Sequence, residues 1–325
     1  MNLKRLFVAV PLFVLLAVVG FEANPIPQSG VAVHTADMVA LSAPATPAEP
    51  AIIAPPTPTD TPIPTATLSP TFTPIPTNTP LPTPTRNANL RSARVPILMY
   101  HYISVPPPDA DIYRLDLSVT PDNFATQMDY LAAEGYHPIR LSDLSDYLLN
   151  GKPALPSKPI VLTFDDGYLD NYQNALPVLV KHNFPATFFI ITQFAEEKRA
   201  GYMNWDQIEQ LAIDGMEIGS HTMNHVELNN RSRVYLESEI GGSKAMIESR
   251  IGTPVKSFCY PSGKYDARTI DVLRSEGYLA ATATDIQGVF QATKDIYELR
   301  RIRVRGSYAV ADFAYWLKYW LASGK

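Results

Sequence analysis

The sequence predicts a parallel α/β fold over residues 94–306, either closed as a barrel or open as a doubly wound sheet, and three observations carry that reading. Short apolar runs recur as ILMYHYI (97–103), PIVLTF (159–164), ATFFII (186–191), MEIGS (216–220), KSFCY (256–260), LAATAT (279–284) and RIRV (301–304). Several are apolar throughout, as parallel strands covered on both faces are. Helical patterns lie between them, and each stops at a glycine: Phe124, Met128 and Leu131 after Pro121, ending near Gly135; Ile208, Leu211 and Ala212 after Asn204, ending near Gly215; Ile270 and Leu273 after Asp266, ending near Gly277. Strand and helix in regular alternation build a parallel sheet.

Taken from the N-terminus, Lys4 and Arg5 precede an apolar run from Leu6 to Phe21. The run is short for a membrane span, so residues 1–23 read as an export signal, either cleaved or kept as an N-terminal anchor. Residues 24–93 read as a Pro/Thr-rich disordered linker, densest from Pro44 to Thr85, where proline removes backbone donors and favours extended chain. Such a segment buries no core. At the other end, Val310, Phe313, Ala314, Leu317 and Leu321 form a helical stripe, so 307–325 is expected to pack as a closing helix on the 94–306 domain. Asp312 and Lys318 interrupt it, which argues against a membrane anchor.

Composition removes several functions. The chain has 325 residues, 46% of them hydrophobic, with 27 Lys+Arg against 32 Asp+Glu and a formal charge of −5. No nucleic-acid partner is expected from that balance. A single cysteine, Cys259, excludes an intramolecular disulfide and any CxxC site. Any metal must therefore sit on histidines and carboxylates.

Parallel α/β folds place chemistry at the C-terminal ends of strands, and three such ends are polar. PIVLTF runs into Asp165-Asp166-Gly167, MEIGS into His221-Thr222-Met223-Asn224-His225, and KSFCY into Pro261-Ser262-Gly263. Adjacent carboxylates at a buried strand end are costly unless a cation is present, although a turn or helix cap before Gly167 is the bland alternative. His221 and His225, four apart, are expected on one face of a helical turn, with Met223 and Asn224 as spacers. Two histidines and a carboxylate leave coordination positions open, as a catalytic ion requires. Thr222 stands where a zinc-peptidase HExxH motif would have its base. The base must come from elsewhere: one aspartate can ligate while its neighbour accepts a proton from water at the ion.

TFDDG, SHTMNH and the Tyr-Pro-Ser-Gly turn, in that order, resemble the carbohydrate esterase family 4 polysaccharide deacetylases, the NodB-homology group. The resemblance implies an α/β fold of the distorted (β/α) barrel type and hydrolysis of N-acetyl groups on an N-acetylated polysaccharide. It implies a divalent metal, usually zinc, with cobalt or another divalent ion as alternatives. It assigns Asp165 as general base and Asp166, His221 and His225 as metal ligands. Two departures matter. Cys259 falls near the family's arginine position and Ser262 at its tyrosine position; the Ser262 backbone N–H can still hold an oxyanion, while Arg301 or Arg303 would have to orient the base. The family also commonly draws an acid histidine from near the C-terminus, but none follows His225. His34 lies in the leader region, and His137 and His182 occupy ordinary structural positions, which leaves His101 at the end of the first strand. This resembles the poly-N-acetylglucosamine deacetylase subgroup, whose acid comes from the N-terminal strand.

The reading is an exported deacetylase, secreted or tethered to the outer face of the membrane through its N-terminal segment. Two rivals remain: a catalytically silent sugar-binding module on the same fold, and a non-haem Fe(II) oxygenase using the two-histidine, one-carboxylate set. Tyr100, Tyr102, Trp205 and Tyr260 lie near the motifs and are candidates to stack on sugar rings, core packing being the commoner fate.

Overall fold

The computed structural model describes residues 90–284 and 286–324. The expected export segment and the linker up to residue 89 lie outside the described residues. The linker's expected end at 93 is too late: β1 (Ser92–Arg94) already pairs antiparallel with β11 (Phe290–Ala292). Its short length and polar ends gave it no strand signature.

The chain then alternates as predicted. In order come β2 (Ile97–Tyr100), β3 (Tyr102–Ile103), α1 (Ile112–Leu117), β4 (Ser118–Val119), α2 (Pro121–Ala133), β5 (His137–Ile139) and α3 (Leu141–Asn150). They are followed by β6 (Pro159–Phe164), a π-helical turn (Asn171–Ala175), α4 (Leu176–His182), β7 (Thr187–Ile190), α5 (Thr192–Glu196), α6 (Trp205–Ile213) and β8 (Glu217–Ser220). The last third contains α7 (Arg233–Ile251), β9 (Ser257–Cys259), α8 (Ala267–Ser275), β10 (Ala280–Thr282), β11, β12 (Ile302–Arg303) and α9 (Val310–Ser323). The starts of the expected helices are capped. Thr120 accepts from Asn123 N ahead of Pro121, and Asn204 and Asp266 form capping boxes with Gln207 and Thr269.

The main sheet is parallel throughout in the order β10-β9-β8-β7-β6-β2-β12, with β5 on the lower half of the β6 edge that β7 takes above. It curls nearly shut. Ala281 and Ala283 of the β10 edge bond to Ile296 and Leu299, in the segment that leads into β12. The result is the distorted (β/α) barrel.

Strand alternation then divides the core. Ile160, Leu162 and Phe164 of β6 face the helices, while Val161 joins Ile97, Phe189, Cys259 and Ala280 in the barrel interior. α3 plugs that interior from the N-terminal ends of the strands. Leu141, Leu144 and Leu148 enter it, Leu141 N donates to Thr187 Oγ1, and Lys256 pairs with Asp146 at 3.0 Å. α3 thus fills the barrel from the end opposite the polar strand ends.

α9 packs on α2 as the closing helix. Phe313 and Leu317 are buried, and Phe313 meets Tyr130 edge to face at 6.0 Å. The expected stripe is too wide by one residue, because Val310 at the first turn is 37% exposed. No described helix is long and apolar enough to cross a membrane.

Phe313→Ala should lower stability by about 3–5 kcal/mol in urea denaturation, the cost of an unfilled aromatic site. Tyr315→Ala, on the exposed face of the same helix, should stay within about 0.5 kcal/mol.

Candidate active site

β6 delivers Asp165 and Asp166 to the open mouth, and local backbone geometry sends them to different partners. Asp166 has φ 71° and Gly167 φ 76°, two successive left-handed residues that turn the chain sharply. A Cβ at Gly167 would also lie 3.2 Å from Ile190 Cδ1, so glycine suits both the turn and the contact.

Asp165 faces into the barrel. Arg301 grips it with both arms, Nη1 to Oδ1 at 2.7 Å and Nη2 to Oδ2 at 2.8 Å, and also donates to Thr163 Oγ1. Both side chains are almost fully buried. Burial alone would push the Asp165 carboxyl up, but Arg301 and then His101 outweigh it and hold the group below the ordinary aspartate value. Arg301 is raised in return: burial opposes its charge, and Asp165 more than restores it. Cys259 Sγ lies 3.6 Å from Asp165 Oδ2 and 3.2 Å from Arg301 Nη2.

Asp166 faces the histidines. Its Oδ1 lies 3.2 Å from His221 Nε2 and 3.3 Å from His225 Nε2, and no hydrogen-bond donor satisfies this buried oxygen. His221 Nδ1 bonds to Cys259 O at 2.8 Å, which fixes the ring and aims Nε2 at the mouth. An orphaned carboxylate oxygen between two imidazole nitrogens, all within 4.8 Å of one another, fits a divalent cation. Asp165, His221 and Cys259 also cluster, but both Asp165 oxygens are committed to the Arg301 cation, so that trio does not fit.

The two histidines do not share a helical turn, contrary to the spacing argument. Residues 221–225 form a tight loop with Thr222 at φ 68° and His225 at φ 56°, and Thr222 Oγ1 accepts from His225 N at 2.9 Å. Met223 and Asn224 are more than spacers. Both backbone N–H groups donate to Glu239 Oε2 and Asn224 Nδ2 donates to Glu239 Oε1, tying the loop to α7. Gly242, one turn along α7, leaves the space Met223 occupies: a Cβ there would come within 2.7 Å of its sulfur. Glu239 and Ser243 occupy the buried stripe of α7 beside Leu236, Ile240 and Ile247, so the polar residues that anchor the loop also hide the helix's apolar period.

Burial would push the His221 imidazole down, but Cys259 and Asp166 outweigh it and hold it well above the ordinary histidine range.

His101 reaches the same mouth, with Nε2 3.8 Å from Asp165 Oδ2. Burial pulls its affinity for protons down, with partial compensation from Asp165 and Asp166. Ser262 lies on the rim after β9 in a turn of Pro261–Gly263, with φ 54°. Arg303 does not come to Asp165; it shares the face of Arg301 but lies two residues further along the strand, where it pairs with Asp116 at 3.3 Å. Of the stacking candidates, Tyr100, Tyr260 and Trp205 are core residues. Tyr102 stays on the rim, with Tyr168 stacked at 3.7 Å and Arg114 at 3.2 Å from its ring centroid. His137 bonds to Ser157 O and His182 lies beside Asp129, both away from the mouth.

Residues 152–281 match the family model described as polysaccharide deacetylase. YxkH of Bacillus subtilis (strain 168), whose name places it among the polysaccharide deacetylases, is 32% identical over 66% of this chain and 72% of its own. The poly-beta-1,6-N-acetyl-D-glucosamine N-deacetylase of Staphylococcus aureus (strain MRSA252) is 25% identical over 55% of this chain and 66% of its own, just under two thirds. Among solved structures, the Streptococcus pyogenes deacetylase PplD in complex with acetate superposes with a TM-score of 0.63 at 27% identity, covering 69% of this chain and 98% of that one.

Two outcomes follow from the geometry. In Arg301→Gln, burial acts on Asp165 without its main counterweight, so the carboxyl rises. The wild-type pair stabilises the fold above the unfolded aspartate pKa and loses that contribution only as pH falls through the lower folded value. Acid unfolding of the variant should therefore begin at higher pH, with about 3–5 kcal/mol less stability at neutral pH. Glu239→Gln should weaken metal affinity by about 10–100-fold in a chelator competition while leaving all three candidate ligands in place.

Proposed function

The chain belongs to the polysaccharide deacetylase family, and on that footing we propose that it hydrolyses N-acetyl groups from an extracellular or cell-wall polysaccharide with a divalent metal. The observation that carries this reading is the division of labour between consecutive aspartates, Asp165 bound to a buried arginine and Asp166 set beside two histidine nitrogens. A reaction needing one ionised base beside one metal ligand asks for that separation.

Asp166, His221 and His225 would hold the cation, zinc by family resemblance, which when bound supplies Lewis acidity at the acetyl carbonyl and at the attacking water. Asp165, kept ionised and aligned by Arg301, takes the proton of that water. The backbone N–H of Ser262 donates to the oxyanion as it develops. His101 gives a proton to the amine nitrogen as the C–N bond breaks, because an amine anion is too poor a leaving group to depart unprotonated. Export is supported by the charged and apolar N-terminus, with the Pro/Thr-rich segment as a spacer that leaves the catalytic domain secreted or tethered. The substrate class is supported by the name of the staphylococcal relative, which acts on a polymer of N-acetylglucosamine.

Acetate release from N-acetylglucosamine oligomers tests the reading against both a silent sugar-binding module and an oxygenase. Chelation should abolish release and zinc or cobalt should restore it; full activity without metal, or oxygen uptake in place of acetate release, would overturn the proposal. Asp165→Asn should keep its metal and lose turnover by about 10²-fold or more, whereas Asp166→Ala should lose metal as well. Equal metal depletion in the two would reverse their roles.

A further inference from the structure

His101 stands at a break in the sheet. β2 ends at Tyr100 and β3 begins at Tyr102, after which the chain leaves the barrel to pair with β4. Up to the break the ladder with β12 is regular, Val304 N donating to Met99 O at 3.1 Å. A continued parallel ladder would bring Gly306 N to His101 O, two residues further along each strand. Gly306 N donates instead to Asp116 O at 2.8 Å. The His101 carbonyl thus loses its strand partner where an unpaired backbone acceptor is costly.

Asn171 supplies the missing bond. Its Nδ2 donates to His101 O at 2.7 Å from a fully buried side chain. Asn171 opens the π-helical turn Asn171–Ala175, a rare geometry that recurs at functional sites. Two neighbours peg the following residues: Asp170 accepts from Ile103 N and Ser104 Oγ, and Asn174 donates to Ile103 O at 2.8 Å. One short segment after the aspartate pair therefore fixes the chain on both sides of the break.

We propose that Asn171 is a positioning residue for proton delivery, holding the backbone of His101 out of the strand ladder so that its imidazole faces Asp165 across the mouth. This rests on the reading of His101 as the acid. The bond is made to the peptide of His101 itself, leaving the imidazole free to exchange its proton, and the donor is an uncharged amide that does not compete with it. The device also couples the acid to the base, since Asn171 lies six residues after Asp165 on the same connection out of β6.

The test measures kcat and KM for an N-acetyl oligosaccharide and for an activated O-acetyl ester, whose leaving group departs without a proton. Asn171→Ala should lower kcat on the amide by about 10–100-fold, the scale of a misplaced catalytic group, with KM and metal content unchanged and a clearly smaller loss on the ester. In a His101→Asn background, Asn171→Ala should add nothing. Asn171→Asp keeps the shape and removes the donor, and it carries the same expectation if the alanine variant is unstable. Asn174→Ala, which frees a carbonyl two residues further on, should lower the melting temperature without amide selectivity. If His101→Asn is amide-selective but the Asn171 variants lose both substrates equally, or add fully to His101→Asn, the inference fails and the reading of the acid stands. Equal amide and ester losses in His101→Asn itself would remove both. An amide-selective loss in Asn174→Ala as large as that of Asn171→Ala would overturn the assignment to Asn171.

Discussion

The buried ion pair between Arg301 and Asp165 is the constraint on which the rest of the site depends. Arg301 lies between the segment bonded to β10 and strand β12, where the barrel wall has its seam, and its guanidinium spans from Ala283 O and Thr284 to Thr163 and Asp165 on β6. One cation thereby joins the last strand to a central one. A guanidinium in an apolar barrel is tolerable only with its charge matched and its donors filled, and both carboxylate oxygens are used for this. That commitment has consequences for the neighbours: Asp165 is ionised and fixed in orientation, it is lost as a metal ligand, and the coordination task passes to Asp166. Cys259 beside the pair follows from the same arrangement, because an arginine arriving from β12 fills the volume that a long side chain on β9 would need.

Opposite this rigid pair, the histidine loop is held by hydrogen bonds to α7 rather than by regular structure. Thr222 and His225 adopt left-handed backbone, which costs conformational energy that a free pentapeptide would avoid. Glu239 offsets it by taking two backbone donors and one amide. The loop is thus held in shape by α7, and the Asp166 oxygen without a donor lies between the two imidazoles that it presents. The aromatic pair Tyr102–Tyr168, next to His101 and close after Asp166, forms part of the wall of the same mouth.

Legibility in the sequence followed physical period and locality. The strands covered on both faces, by helices outside and by the packed barrel interior inside, were readable as apolar runs, and α2, α6 and α8 were readable because cap, stripe and terminal glycine coincide in each. β1, β4 and β11 were not, being two or three residues long and defined only by their partners, and the run 97–103, readable as one strand, breaks at His101 into β2 and β3. α7 escaped notice because Glu239 and Ser243 sit in its inward stripe, where a periodicity argument expects apolar side chains. The four-residue spacing of His221 and His225 suggested a helical turn, but a strand end followed by left-handed residues brings the rings together by another path. For the arginine, alternation within RIRV puts both candidates on one face, and nothing local says which of the two stands level with Asp165.

By itself the sequence determined which residue types were available to the chemistry: an aspartate pair after an apolar strand, two histidines after another, one cysteine, and only His101 among the remaining histidines at a strand end expected on the open rim. It also determined that these would converge, since parallel strands share one C-terminal edge. Tertiary structure alone decided how they divide the work. The selection of Arg301 over Arg303, the turning of Asp165 and Asp166 to separate partners, and the bond from Asn171 to the His101 carbonyl all join residues far apart along the chain or facing different ways. The reason is that sequence pattern encodes the period of a local element, whereas orientation at a barrel mouth is set by which side chain reaches across it first and satisfies a buried charge.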